Sequence, residues 1–253
     1  MYDDLKFDLC CGARVLYRAG LSAGIAGHLS IMVDQNTMIA NRFGPSFATV
    51  KPEDVLTLDL DGNIVDGRGF VNDTIRLHGV IHKMNPDVAA IAHTHPPAVV
   101  TFSSLRVVPE AYDQESCFLA GEVALVEEDY GGLASSEDRV RPFGEALGDH
   151  HALILPNHGA ITKGTTIRQA IILMMGLEGM VQRHLSVAAA ARATGITPRP
   201  IAPQVALATK RELSTIVAGL SPVNLIWDDL MAKLRHSDPD LFAAREQAAS
   251  ATS

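Results

Sequence analysis

The sequence predicts an α/β fold with a mixed sheet covered by helices. Segments with helical spacing of apolar residues alternate along the chain with short strands, and no repeat or composition shift divides the 253 residues. At 47% hydrophobic and 20% charged, the composition is that of a globular protein. A chain of this length buries roughly 70–75% of its unfolded surface, so a large core is expected in a single domain spanning residues 1–253.

Residues 3–19 read as a helix, with Leu5, Leu9, Ala13 and Leu16 at three- and four-residue spacing and Gly20 as its stop. A Gly-rich turn over 22–27 leads into a strand at 28–34, with which 38–41 pairs back. Residues 55–60 and 63–65 form a hairpin of alternating strands across Asp61-Gly62. Residues 74–85 read as a helix stopped before Pro86, and 88–92 as a short buried strand running into His93-Thr94-His95-Pro96-Pro97. Residues 123–126 are a strand; Ser135 or Ser136 caps a helix to about residue 148. Residues 152–155 are a strand ending at Pro156-Asn157-His158-Gly159, and Thr166 caps a long helix to about residue 194. After a break at 198–203 come two helical stretches, to about residue 218 and over about 222–234, that can pack on a neighbouring subunit. The small-residue end, 247–253, reads as a frayed tail.

Charge narrows the function classes. Lys and Arg number 21 against 29 Asp and Glu, a net −8 with no basic run, which argues against nucleic acid or an anionic membrane as partner. The apolar stretch 170–193 is broken by Glu178, Gln182, Arg183, His184 and Arg192, so it reads as a buried helix and not a span. The start, MYDDLKFDLC, has no basic region before an apolar core, and Cys10, Cys11 and Cys117 form no CxxC; both point to a reducing, cytoplasmic setting. Cys10 and Cys11 read as small packing residues. Ser103-Ser104, Ser135-Ser136 and Cys117 sit in no activating motif, and Gly24-Ile25-Ala26-Gly27 is no nucleotide fingerprint.

The chemistry concentrates in histidine. In an extended segment residues i and i+2 share a face, so His93 and His95 can bind one metal from one side. His158 holds an equivalent place, at the end of an apolar strand before a glycine, and two strand ends in one sheet can bring the three together. Three imidazoles leave coordination positions open, as catalytic sites need. A rival pair, His78 and His82, lies at i and i+4 on one helix face but lacks the Glu of HExxH, and His78 reads rather as support or packing.

From Cys11 to about His184 the chain resembles the class II aldolase/adducin family. The matching blocks are Gly27-His28-Leu29-Ser30 after a helix and turn, Leu77-His78 on a helix, DVAAIAHTHP over residues 87–96, and Asn157-His158-Gly159 before the long helix. The resemblance implies a three-layer α/β/α sandwich with a mixed central sheet. It implies a divalent ion, zinc or manganese, on His93, His95 and His158, and a homotetramer with active sites between subunits. The expected partner is a small-molecule substrate.

The departures are informative. Where aldolases of the family carry Ser-Ser-Glu, this chain has Asn72-Asp73-Thr74, and His28 stands where they carry Asn. The phosphate-holding serines are therefore absent, and so is the acid/base Glu unless a one-residue shift puts Asp73 in its place; Asp73 lining the site would repel a dianion. The same departures suit decarboxylases such as 3-hydroxy-2-methylpyridine-4,5-dicarboxylate decarboxylase, which resemble this chain in character. In that reading Ser30, Asn72 and Asp73 contact substrate, and His28, Glu115 or Tyr130 supplies the proton. The sequence thus points to a metal-dependent carbon–carbon lyase that decarboxylates a small hydroxylated aromatic carboxylate. An aldolase or epimerase acting on a sugar phosphate and a non-catalytic adducin-like module are the alternatives.

Overall fold

The computed structural model describes residues 2–22, 24–127, 136–215 and 221–251. Eight strands form one sheet: β1 (His28–Met32), β2 (Thr37–Asn41), β3 (Val55–Asp59), β4 (Ile64–Asp66), β5 (Ala90–Thr94), β6 (Val123–Leu125), β7 (Ala152–Leu155) and β8 (Gly159–Gly164). Their order is β4-β3-β2-β1-β5-β8-β7-β6, and only β6 and β7 run parallel, so the sheet is mixed as expected.

The period of two along the central strands creates two cores. Ala90, Ala92, Ala160, Ala152 and Ile154 face one layer, built on α1 (Asp3–Arg18) and α5 (Ile167–Thr194). Ile91, Ile161, Leu153 and Leu155 face the other, where Leu77, Val80 and Ile81 of α2 (Arg76–Met84) meet Val140, Phe143 and Leu147 of α4 (Glu137–Leu147). The result is the helix–sheet–helix sandwich. Gly79 lets α2 approach closely, because a Cβ there would lie 1.9 Å from the Leu60 carbonyl oxygen.

Helix ends follow the local chemistry. Thr166 accepts the Gln169 N–H at 3.2 Å and starts α5 where expected. Ser136 occupies the N-cap of α4 but its side chain makes no capping bond; Ser135 lies outside the described residues. The helix read at 74–85 begins as a 3-10 turn, Asp73–Ile75, because the Asn72 side chain accepts the Thr74 N–H and holds that turn apart from α2.

Three elements went unread. The strand β8 follows β7 through a tight turn, with Leu155 opposite Gly159. The helix α3 (Pro97–Ser103) fills the gap after the HTH segment. The helix α8 (Pro239–Ala251) is anchored where Leu241 and Phe242 are buried and the Phe242 ring meets Phe7 edge-on at 5.4 Å, and it carries on into the stretch expected to fray as far as Ala251; residues 252 and 253 lie outside the described residues. Among the described residues no helix is long and apolar enough to cross a membrane.

The C-terminal helices α6 (Pro203–Leu213), α7 (Pro222–Ser237) and α8 extend the first of these cores, which takes in Ala206, Trp227 and Leu234. Arg14 of α1, buried, donates to Asp238 at 2.8 Å and to the Val50 carbonyl at 3.3 Å. Half-exposed Arg18 also bonds Asp238, at 3.0 Å. Asp238→Ala leaves buried Arg14 only the half-exposed Asp240 carboxylate, 3.2 Å away, as its charge partner, and urea denaturation should show a loss of up to about 3 kcal/mol. Arg18→Ala should cost far less, as for exposed pairs.

Candidate metal centre

The antiparallel pairing of β5 with β1 and β8 builds the site. His93 lies opposite His28 on β1 and opposite Ile161 on β8, and Thr94 lies opposite Ala160. His93 therefore faces the α2 layer, and His95, two residues on, lies just past the strand end. His158 sits in the turn between β7 and β8, not at a free strand end. The sheet brings His93, His95 and His158 together, with one ring nitrogen of each within 4.8 Å of the others. No carboxylate joins them among the described residues.

Backbone detail holds the turn. Asn157 takes φ 55°, a left-handed conformation that Asn tolerates. Its N–H donates to Ser103 Oγ at 2.8 Å, and that hydroxyl donates to the Val100 carbonyl at 2.7 Å. Gly159 must be glycine, because a Cβ would lie 2.4 Å from the Thr94 oxygen and 2.7 Å from His95 Cδ2. On the other side of His95, the buried Glu178 carboxylate of α5 accepts the N–H groups of Ala98 and Val99 at 3.0 and 3.1 Å, pinning the start of α3. Sequence reading noticed Glu178 only as an interruption and Ser103 only as an unactivated nucleophile. A lone carboxylate on a buried helical face was the signal available.

The donor set fits a divalent ion. His93 Nδ1 lies 2.9 Å from the Ala160 carbonyl, which can only accept, so Nδ1 carries the proton and Nε2 keeps its lone pair. His95 Nε2 is buried with no hydrogen-bond partner among the described residues, an arrangement a metal would satisfy. Burial holds His93 well below the ordinary imidazole range, lowers His95, and takes His158 down to about 4. Neighbouring imidazoles add to the shift at His93 and His158. All three are thus neutral near pH 7, the form that metal binding requires.

Behind the triad lies a row of buried polar groups. His28 and His93 have ring centroids 4.8 Å apart. His28 Nδ1 is 2.8 Å from His78 Nε2, and His28 Nε2 is 2.9 Å from Thr74 Oγ1. His78 Nδ1 lies 2.7 Å from Ser30 Oγ, which is 3.1 Å from His82 Nε2. The i, i+4 pair on α2 thus grips a serine hydroxyl and not a metal.

The remaining expected site residues fall elsewhere. Ser30, expected at the substrate, is fully buried with its hydroxyl engaged by two histidines. Asn72 uses its carbonyl oxygen on the Thr74 N–H, and Asp73 is exposed. Glu115 is exposed at the start of the 3-10 turn Glu115–Leu119 and lines two surface cavities that include none of the three histidines. Tyr130 lies outside the described residues. Burial raises the thiols of Cys10 and Cys117 and takes Cys11 to about 12, so none is a ready nucleophile.

The chain is similar to known proteins in sequence and fold. Residues 7–185 match the class II aldolase and adducin N-terminal domain. The 4-hydroxy-3-prenylphenylpyruvate oxygenase/4-hydroxy-3-prenylbenzoate synthase of Streptomyces roseochromogenus subsp. oscitans is 30% identical, over 94% of this chain and 84% of its own. Decarboxylase NovR of Streptomyces niveus is 29% identical, over 94% and 86%. The solved L-fuculose 1-phosphate aldolase from Glaciozyma antarctica PI12 superposes with a TM-score of 0.80 at 28% identity, covering 94% of this chain and 91% of that one.

Two outcomes test the centre. His95→Ala should leave the fold intact and remove most bound metal after dialysis, read by metal analysis; unchanged metal content would refute the assignment. The second outcome concerns acid. The unfolded chain takes protons on histidine from about pH 6.5 downward, whereas buried His82 accepts one only near 4 and buried His28 and His78 also sit well below the ordinary range. The unfolded state thus binds more protons in that window. Stability of the metal-free protein should fall on acidification by about 1.4 kcal/mol per pH unit for each such histidine. Urea unfolding at about pH 7 and about pH 5 reads this slope, and His82→Phe should make it shallower.

Proposed function

The chain belongs to the class II aldolase and adducin N-terminal domain family, and on that premise we propose that it is a metal-dependent lyase that decarboxylates a small hydroxylated aromatic carboxylate. One observation carries the choice of reaction: three neutral imidazoles converge with no carboxylate among them in the described residues, and the group beside His28 is the hydroxyl of Thr74. Loss of carbon dioxide generates a carbanion without prior removal of a C–H proton, so it needs no carboxylate base there. The relatives named for decarboxylation and for 4-hydroxy-3-prenylbenzoate synthesis support the substrate class.

His93, His95 and His158 would hold the ion, zinc or manganese. Bound there, a divalent cation supplies Lewis-acid stabilisation of negative charge on substrate oxygens. His28 stands beside His93; its Nε2 would take the proton of a substrate hydroxyl and return it to the carbon that has lost carbon dioxide, and Thr74 Oγ1 sets its ring direction at 2.9 Å. The exposed apolar residues Leu105, Val107, Val108 and Phe70 support assembly into a homotetramer with the sites between subunits; light scattering that found a monomer would remove that part of the reading.

The decisive measurement uses hydroxybenzoates and hydroxyphthalates carrying a labelled carboxyl carbon. The metal-loaded protein should release the label as carbon dioxide, and His28→Ala should lower turnover roughly 10²–10⁴-fold with metal content unchanged. The likeness to L-fuculose 1-phosphate aldolase makes retro-aldol cleavage the competing reading. Aldehyde release from a sugar phosphate, with no labelled carbon dioxide, would establish that one instead.

A further inference from the structure

A file of hydrogen-bonded groups runs from Val88 through the protein interior to Thr74, and one carbonyl fixes the direction of every bond in it. The Val88 carbonyl can only accept, so His82 Nδ1, 3.1 Å away, carries a proton. Burial holds His82 neutral, which leaves its Nε2 as a bare lone pair. The Ser30 hydroxyl, 3.1 Å from that nitrogen, must donate to it. With its only hydrogen so engaged, Ser30 Oγ can only accept from His78 Nδ1 at 2.7 Å. His78 is fully buried and neutral, so its Nε2 accepts from His28 Nδ1 at 2.8 Å. That leaves His28 Nε2 bare, accepting from the Thr74 hydroxyl at 2.9 Å. Reversing the file would set the His82 lone pair against the Val88 oxygen, two acceptors face to face with no water between them.

We propose that Ser30 and His82 are positioning residues that, through His78, hold His28 in its Nδ1-protonated tautomer with the Nε2 lone pair turned to Thr74. Neither residue needs to touch substrate to do this. A histidine held this way presents an acceptor, so it takes a hydrogen bond from a substrate hydroxyl in place of that from Thr74. This last step rests on the decarboxylase reading; the tautomer itself does not. Ser30 thus acts in the interior: a serine donates one bond and accepts another, which is what its place between His82 and His78 requires.

Long-range proton–nitrogen correlation spectra of the metal-free protein, labelled with nitrogen-15 histidine, read the protonation of each ring nitrogen directly. The His28 signals are assigned by their loss in His28→Gln. In the unmodified protein His28 should appear as one tautomer, protonated on Nδ1 and bare on Nε2. Ser30→Ala and His82→Phe each cut the file from the Val88 carbonyl. Thr74 can then donate or accept, so the Nε2-protonated form should rise from undetected to a share comparable with the other. Turnover of the substrate identified above should fall in proportion to the lost tautomer, with metal content unchanged. A His28 protonated on Nε2 in the unmodified protein, or His28 signals unmoved in both folded variants, would overturn the proposal. A tautomer shift without any carbon dioxide release would leave it standing and remove the decarboxylase reading instead.

Discussion

The structure depends on one constraint: a cluster of imidazoles is buried in the layer between the sheet and α2, and every ring must stay neutral and find partners there. His28, His78, His82 and His93 are all almost fully buried. A charged imidazole in that setting would face both loss of hydration and repulsion from its neighbours, and both act in the same direction at His28, His78 and His93. Neutral rings each offer one donor and one acceptor. The carbonyls of Val88 and Ala160 and the hydroxyls of Ser30 and Thr74, with the His28–His78 bond, take up these sites except His93 Nε2, whose lone pair stays open at the triad.

The rest of the sandwich serves this layer. Antiparallel pairing of β1 and β5 aligns His28 with His93. The pleat sends Ile91 toward α2 and the alanines on either side of it toward α5, so the small residues let the long helix lie close while the other face carries the histidines. Two short props then set the triad. Glu178 fixes the backbone just after His95, and Ser103 fixes the backbone just before His158, so α3 spans the two ligands with both of its ends tied. A rigid strut between ligands that lie 63 residues apart in sequence is how a small set of loop-borne imidazoles holds a defined separation.

Chemistry follows from what the site omits as much as from what it contains. The group beside His28 is the Thr74 hydroxyl, which engages the imidazole by hydrogen bonding and is no strong base. A neutral donor set leaves a bound divalent cation close to its full charge, suited to an anionic chelating substrate. The surrounding burial strengthens each of these interactions, since the local dielectric is low.

By itself the sequence determined the alternation of elements, the three histidines that converge and the family they signal. Each is written in local pattern: periodicity for α1 and α5, the HTH spacing after an apolar run, and the Asn157-His158-Gly159 turn. It also carried the Thr166 cap, because a capping side chain and the helix it starts are neighbours in the chain. What only the tertiary structure decided was the partner of each buried polar group. Ser30 read as a substrate contact because nothing near it in sequence shows that His78 and His82, some 50 residues on, close around its hydroxyl. Glu178 and Ser103 gained their roles from contacts 80 and 54 residues away, and the start of α8 is held because Phe7 and Arg14 of the first helix receive Phe242 and Asp240. A helix face or strand period is a property of neighbouring residues, but hydrogen-bond satisfaction in a core depends on which distant residue the fold brings opposite, and that is settled only when the layers pack.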